Sequence, residues 1–436
     1  MQAADIHHFE LVFLFIMVLV VALAVLARRL RTPYPIVLVA GGLVVSLLPN
    51  VPRVELNPDI IFLVLLPPLL FGAAFHTSWR NFRSNLTKIS TMAFGLVGFT
   101  VTAVAFLAAK LLPGFDHRTG FVLGALVAST DAIAATAIAK RMHLPRQIVD
   151  VLEGESLLND ATSLVALEFS VGMLVGNSVP TLTQGASRLI YLCCAGIVIG
   201  LIAGWVIRRS QIRLTDAPIE ITLTLLAPYV AYLAAEAVHA SGVLATVACG
   251  LYLGEKQAES LSARARIESS AVWNTLDFVL NGIVFALIGL QLPTVLAGIR
   301  TIRFVDLAFD ATLLIVFLIA LRVAWVFAAS WIAFAVRRLG VQKPPLPRAN
   351  EDLLLGWTGM RGVIGLAAAM TLPDLIEGGA AFPQRDVLIF LSFVVILATL
   401  VVQGLSLPWV IRKLGLAVFA NSQEAKCGLS EERTGA

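Results

Sequence analysis

Residues 155–160 read Glu-Ser-Leu-Leu-Asn-Asp and lie inside a long apolar stretch of the chain. Ionisable side chains at membrane depth are costly, and where they occur they mark ion or proton pathways. Residues four apart on a helix share a face, so Glu155 is expected beside Asn159, and Ser156 beside Asp160. A hydroxyl and a carboxylate are oxygen ligands of the kind that a hard cation binds. The hexapeptide therefore predicts a membrane helix that carries a cation site.

The composition predicts the fold class. Hydrophobic residues make up 58% of the 436 residues and charged residues 14%, whereas soluble domains carry about 25% charged residues. Apolar runs of about 20 residues recur along the chain, and each is long enough to span the hydrocarbon as a helix. We therefore predict an all-α polytopic membrane protein of about thirteen transmembrane helices. The four cysteines form no CxxC pair and indicate neither a metal site nor a disulfide framework.

Basic residues are concentrated in alternate loops. The positive-inside rule assigns these loops to the cytoplasm, so the N-terminus is predicted outside and the C-terminus in the cytoplasm of a cell-membrane protein. The surplus of positive charge is thus a topological signal and does not indicate nucleic-acid binding. The basic loops include Arg28, Arg29, Arg80, Arg83, Lys140, Arg141, Arg208, Arg209, Arg337, Arg338, Arg412 and Lys413.

Several ionisable residues fall within the predicted spans. An uncompensated charge in hydrocarbon costs several kcal/mol, so these groups should face a cavity, form pairs or be neutral. We favour a structural interpretation for Glu168, Glu236 and Asp277, the last two because they lie towards span ends and within reach of water. A functional interpretation is favoured for Asp131, Glu155, Asp160, Arg322 and Arg361.

Two predicted spans contain polar interruptions. The fifth span, 121–139, reads Val-Ala-Ser-Thr-Asp-Ala at 127–132, and the twelfth, 352–372, has glycines at 356, 359, 362 and 365. Irregular backbone at membrane depth is tolerated only inside protein or around a water-filled cavity. Interruptions at corresponding places of two halves indicate a transporter site. They predict two inverted six-helix repeats, 1–180 and 216–412, joined by a linker helix, 181–215, and followed by a short cytoplasmic tail, 413–436.

These segments resemble the first cation:proton antiporter family, and in particular its bacterial sodium/proton exchangers. The resemblance covers nearly the whole chain. It implies a fold with crossed, broken helices, a homodimer in the cell membrane, and roles in sodium transport and pH regulation. The motifs that carry it are Ser-Thr-Asp at 129–131, Glu-Gly-Glu-Ser-Leu-Leu-Asn-Asp at 153–160, Gly-Met-Arg-Gly at 359–362 and Leu-Leu-Pro-Pro-Leu-Leu-Phe at 65–71.

The resemblance also implies residue roles. Asp160 would bind either the cation or a proton, and Ser156 and Thr130, with backbone carbonyls of the broken fifth span, would complete the shell of a monovalent cation. Asn159 would be neutral scaffolding.

Glu155 would form a buried ion pair, with Arg322 as the favoured partner and Arg361 as the alternative. Asp131 and Arg361 would offset the dipoles of the half-helices at the crossing. No cofactor is implied, since sodium, lithium or potassium and the proton are substrates.

The chain departs from the family pattern at two positions. Ala132 stands where relatives commonly have proline, which would make the break less rigid. Gly72 follows the Pro-Pro motif where some prokaryotic relatives carry an acidic residue, so one cation ligand is expected to be missing.

The predicted mechanism is electroneutral exchange of one cation for one proton by alternating access. Desolvation disfavours an ionised carboxyl group, so protons and cations would compete for Asp160. With Asn159 in place of a second acid, each crossing would carry one cation or one proton.

Other functional classes fit the sequence less well. A channel would need a selectivity filter or rings of charge, and a metalloprotease or a primary pump would need HExxH or a P-loop, neither of which occurs in the sequence. A carrier for an organic substrate stays open as the alternative. It would require an apolar pocket lined by aromatic residues.

Overall fold

The regular elements of this protein are helices. The computed structural model describes residues 3–30, 32–48, 61–175, 182–299, 303–338, 346, 348–376 and 379–416. Within those ranges two isolated β-bridges are the only extended pairings, so the predicted all-α class is confirmed. Most of the predicted C-terminal tail, 417–436, lies outside the described residues.

The first part of the chain leads to the helix of the hexapeptide. Short π-helical segments, Ile61–Leu65 and Thr91–Leu96, run directly into the α-helices that begin at Leu66 and Val97. The α-helices are α1 (Ala3–Leu30), α2 (Tyr34–Ser46), α3 (Leu66–His76), α4 (Trp79–Ser84), α5 (Leu86–Ser90), α6 (Val97–Leu111), α7 (His117–Ala128), α8 (Ala132–Arg141) and α9 (Arg146–Val175).

The second part of the chain contains the remaining helices. They are α10 (Leu182–Gln211), α11 (Ala217–Glu236), α12 (Gly242–Glu255), α13 (Gln257–Ser260), α14 (Ala263–Leu290), α15 (Leu292–Gly298), α16 (Phe304–Arg338), α17 (Ala349–Trp357), α18 (Val363–Met370) and α19 (Arg385–Lys413).

Polar side chains define where several of these helices begin. The carboxylate of Asp116 accepts the Thr119 amide at 2.8 Å while the Thr119 hydroxyl accepts the Asp116 amide at 2.9 Å, which forms a capping box at α7. Ser262 caps α14 by accepting the Ala265 amide at 3.2 Å. Because a helix leaves its first amides without partners, these side chains fix the starting points of the two helices.

The helices have the lengths of a multi-pass membrane protein. Among the described residues, eight are long and apolar enough to cross a membrane, from the one at Glu10–Leu30 to the one at Arg385–Lys413. Three shorter apolar helices lie at Tyr34–Ser46, Leu63–His76 and Gly242–Glu255. The fifth and twelfth predicted spans are each split into two half-helices, α7 with α8 and α17 with α18. The broken helices are confirmed, while the count of thirteen spans stays a prediction.

The two breaks lie against each other at the centre of the molecule. Thr130 and Arg361 form an antiparallel bridge, and the amide of Asp131 donates to the carbonyl of Met360 at 2.9 Å. Each break therefore satisfies backbone groups of the other, which is how non-helical backbone is tolerated at membrane depth. Helix α9 packs against both α7 and α8, so the hexapeptide faces this crossing.

Candidate ion-binding site

A cavity of about 430 Å³ reaches the crossing from one side of the molecule. Its mouth is formed by the ends of α3, α8 and the start of α9, where His76, Lys140 and Glu153 line it. Its inner end is lined by Asp131, and by Ser156 and Asp160 of α9. The cavity thus joins charged loops to the buried centre.

Asp160 lies at the inner end of the cavity and is 7% exposed. Its Oδ1 accepts a short hydrogen bond from the hydroxyl of Ser129, the first residue of the break between α7 and α8. One helical turn before it, the hydroxyl of Ser156 donates to the Thr130 carbonyl at 3.0 Å and accepts the Ala132 amide at 3.2 Å. Helix α9 is therefore tied to the unwound segment at the point where Asp160 meets the cavity.

The other face of the hexapeptide forms a buried network away from the cavity lining. Glu155 accepts two hydrogen bonds from the guanidinium of Arg322, at 2.6 and 2.9 Å, and both residues are 2% exposed. The Asn159 amide donates to Thr130 Oγ1 at 2.8 Å, and that hydroxyl donates to Glu155 Oε1 at 3.3 Å. The charges of Glu155 and Arg322 neutralise each other, as buried charges must, while the Oδ1 atom of Asn159 has no hydrogen-bond partner among the described residues.

The network has room because of a glycine in the second break. A Cβ atom at Gly359 would overlap Cδ of Arg322, so a larger residue there would displace the arginine from its partner. Nε of Arg322 also donates to the carbonyl of Leu355 at 3.2 Å, close to the end of α17. The Arg322 side chain therefore connects three helices: α9, α16 and α17.

Asp131 and Arg361 contact half-helix ends of opposite polarity. The carboxylate of Asp131 accepts the Ile133 amide at the N-terminus of α8, at 2.7 Å. Nη1 of Arg361 donates to the carbonyl of Ala128 at the C-terminus of α7, at 2.8 Å. A negative charge at a helix start and a positive charge at a helix end both favour the local dipoles.

The structure brings the predicted site residues together but divides them into two groups. Asp160, Ser156 and Asp131 line the cavity, whereas Thr130 directs its hydroxyl to Asn159 and Glu155. Sequence reasoning assigned the Thr130 hydroxyl to the cation shell and overlooked Ser129. The signal for Ser129 was its place in the Ser-Thr-Asp triplet. In an unwound segment, however, adjacent residues such as Ser129 and Thr130 direct their side chains to different partners.

The remaining acidic residues of the predicted spans lie in three different environments. Glu168 pairs with Arg188 at 2.9 Å on the surface, and Glu236 is exposed at the last residue of α11. Asp277 lies near the middle of α14 rather than at a span end, and it lines the cavity. Its carboxylate occupies the space in front of Gly72, where the sequence predicted a missing acidic ligand.

The donor set suits a small cation and not an organic substrate. Carboxylate and hydroxyl oxygens are hard ligands, and Phe285 is the aromatic residue among the described side chains that line the cavity. Among the described residues no three His, Cys, Asp or Glu side chains are arranged to hold a metal ion.

Comparison with known proteins agrees with this arrangement. Residues 15–413 match the model of a family described as "sodium/hydrogen exchanger, transmembrane". An uncharacterised Na+/H+ exchanger of Mycobacterium tuberculosis is 35% identical over 401 residues, covering 90% of this chain and 72% of that protein. A sodium, potassium, lithium and rubidium/H+ antiporter of Bacillus subtilis is 31% identical over 414 residues, covering 91% of this chain and 61% of that longer protein.

A solved structure shares the fold. The sodium proton antiporter MjNhaP1 from Methanocaldococcus jannaschii superposes with a TM-score of 0.72 at 18% identity, over 94% of this chain and 99% of that one. The likeness in fold extends along almost the entire length of both chains. The chain belongs to the sodium/hydrogen exchanger family, a family of multi-pass membrane transporters and not of enzymes, whose ions are transported substrates rather than cofactors.

Proposed function

We propose that this protein is a secondary antiporter that exchanges sodium, lithium or potassium for protons, with Asp160 as the site that both ions share. The observation that carries the proposal is the division of the hexapeptide between two environments. Asp160 faces the cavity without a basic partner in the described structure, whereas Glu155 is neutralised by Arg322. Of the two carboxylates of the hexapeptide, that of Asp160 is therefore left to bind an ion.

Exchange follows from the charge of that carboxylate. An empty, ionised Asp160 resists passage through an apolar barrier because transfer of a charge into low dielectric is costly. A bound cation or a proton removes that cost. If the helices of the crossing move between two orientations, only the neutralised site crosses, and each return needs the other ion. Alternating access of this kind couples the two fluxes without contact between the ions.

The proposed stoichiometry is one cation for one proton. Asn159 stands next to Asp160 and donates its amide to Thr130, so it adds no second negative charge. Ser156 and Ser129 complete the shell of the cation. Ser129 is placed there by the hydrogen bond from its hydroxyl to the carboxylate of Asp160. Thr130 is assigned to positioning, because its hydroxyl links Asn159 to Glu155.

The cavity is proposed to face the cytoplasm. The ends of α3 and α8 line its mouth; α8 ends with Arg141, and Arg80 and Arg83 follow α3. The positive-inside rule assigns such loops to the cytoplasm. In this orientation the N-terminus is outside, the C-terminus is inside, and cytoplasmic ions reach Asp160 through the cavity.

The larger organisation is proposed on the resemblance. Residues 1–180 and 216–412 form two inverted repeats around the linker helix 181–215, and two copies of the chain associate in the cell membrane. Light scattering on the purified protein measures its mass, and a monomer would contradict the dimer.

The proposal is tested by proton flux in sealed vesicles that contain the purified protein. Addition of sodium, lithium or potassium chloride should release or take up protons, whereas choline chloride should not. Rubidium chloride is a useful fifth addition, because rubidium is one of the four cations in the name of the Bacillus subtilis relative. Proton movement without a cation requirement, or none with any cation, would contradict the proposed exchange.

A further inference from the structure

The cavity contains a further carboxylate that the proposed exchange does not use, that of Asp277. Asp277 projects from α14, a helix outside the crossing, and lines the same cavity as Asp160 and Asp131. No described residue donates a hydrogen bond to its buried Oδ1 atom. A buried carboxylate oxygen without a donor is costly, so a purely structural role is a poor explanation for the position of this acid.

The space for this carboxylate is created by Gly72 on α3. A Cβ atom at position 72 would overlap Oδ1 of Asp277, so any larger residue would displace the Asp277 side chain. Gly72 itself is buried, and its carbonyl accepts a hydrogen bond from Nδ1 of His76 at 2.8 Å. The two helices therefore fit together around the acid.

Asp277 lies between the mouth of the cavity and Asp160. It meets α3 at Gly72, four residues inside His76, which is about 6 Å along a helix. On α9, Asp160 is seven residues beyond Glu153 at the mouth, which is about 10 Å. A cation that enters past His76 and Glu153 thus reaches the level of Asp277 before that of Asp160.

Asp160 has a hydroxyl of the crossing, that of Ser129, as its hydrogen-bond partner. Asp277 has different neighbours. Its neighbours along α14 are instead amides: Asn274 and Asn281 both line the cavity, and Asn281 Nδ2 donates to the Asp277 carbonyl at 2.8 Å. Carboxylate and amide oxygens together suit a hydrated monovalent cation.

We propose that Asp277 is an entry site that binds the incoming cation from the cytoplasmic side and passes it to Asp160, and that Gly72 is required because it leaves space for this carboxylate. The inference rests on the proposed exchange function. A negative charge in a cavity raises the local concentration of cations. Asp277 is thereby a residue that sets apparent affinity, whereas Asp160 sets whether exchange occurs.

The first test separates affinity from turnover. Asp277→Asn should raise the KM for sodium about fivefold to tenfold with the maximal rate nearly unchanged, the result expected when binding is lost without loss of the transport step. Gly72→Ala should do the same, and should add nothing in an Asp277→Ala background. Glu268→Gln on the surface of the same helix, and Gly98→Ala, whose added Cβ would meet no atom within 4 Å, are the matched controls.

The second test measures binding without transport. Purified Asp160→Asn protein should still be stabilised against heat by sodium chloride relative to equal choline chloride, since a ligand stabilises the state that binds it. The double variant Asp160→Asn with Asp277→Asn should lose this difference.

Three results would overturn the proposal: an unchanged sodium KM in Asp277→Asn, no sodium-specific stabilisation of Asp160→Asn, or a stabilisation that persists in the double variant. The heat measurement does not depend on exchange. A wild-type protein that fails to exchange ions would therefore contradict the proposed function. The entry site would still be tested by the heat measurement.

Discussion

The two faces of the hexapeptide in α9 differ in their surroundings, although they belong to adjacent residues. Ser156 and Asp160 line the cavity, and Asp160 has a hydroxyl as its described partner. Glu155 and Asn159 lie away from the cavity. Glu155 is hydrogen-bonded to Arg322, and Asn159 is hydrogen-bonded to Thr130. A carboxylate open to water can exchange ligands, while a carboxylate closed by a bidentate arginine cannot do so without losing its partner. We propose that the same residue chemistry serves transport on one face and stability on the other.

The largest effect is expected on the cavity face. Asp160→Asn should reduce cation-driven proton movement in vesicles to the level of protein-free vesicles, because an amide binds neither a proton nor a cation as a carboxylate does. Its melting temperature should not fall, since the amide oxygen can still accept the Ser129 hydroxyl. Substantial exchange by a well-folded variant would refute the role of Asp160.

On the closed face the expected loss is one of stability. Glu155→Gln and Arg322→Gln should each lower the free energy of unfolding by about 3–5 kcal/mol, because removal of one partner leaves the other charge buried and uncompensated. The double variant should recover part of the loss. Thermal unfolding of the four proteins measures the coupling, and strictly additive losses would show that the two side chains are independent. Arg361→Gln is the control, because Arg361 donates to Ala128 and not to Glu155.

A smaller effect is expected from the hydroxyl that contacts Asp160. Ser129→Ala removes the hydrogen bond to the carboxylate, and a hydrogen bond to a charged group contributes about 1.5–3 kcal/mol. The KM for sodium should rise on the order of tenfold while exchange persists. Ser163→Ala is the matched control, since its hydroxyl donates to the backbone carbonyl of Asp160 at 2.9 Å rather than to the carboxylate. Equal effects of the two variants would assign Ser129 to the backbone break alone.

No effect at all is expected from membrane voltage. One titrating carboxylate that carries either one cation or one proton moves no net charge per cycle, whereas a single net charge would feel about 2.3 kcal/mol per 100 mV. Vesicles clamped with potassium and valinomycin measure this, once potassium is shown not to be transported. A reversal point that shifts with the potential would refute one-for-one exchange.

Local patterns in the sequence determined much of the architecture. Apolar runs of membrane length predicted the helices, because a helix is the element that satisfies every backbone group in hydrocarbon. The Ser-Thr-Asp and glycine-rich interruptions predicted the two breaks, and the four-residue spacing separated Ser156 and Asp160 from Glu155 and Asn159. These inferences succeed because they depend on neighbours in the chain.

Only the tertiary structure decided how the distant parts meet. The choice of Arg322 as the partner of Glu155 depends on how α16 passes α9, and the space for its side chain depends on Gly359 in the second break. The sequence likewise gave no sign that Asp277 would fill the space in front of Gly72, because the two residues belong to helices far apart in the chain. Helical periodicity fixes which residues share a face, but packing between helices decides which face meets water, a charge or another helix.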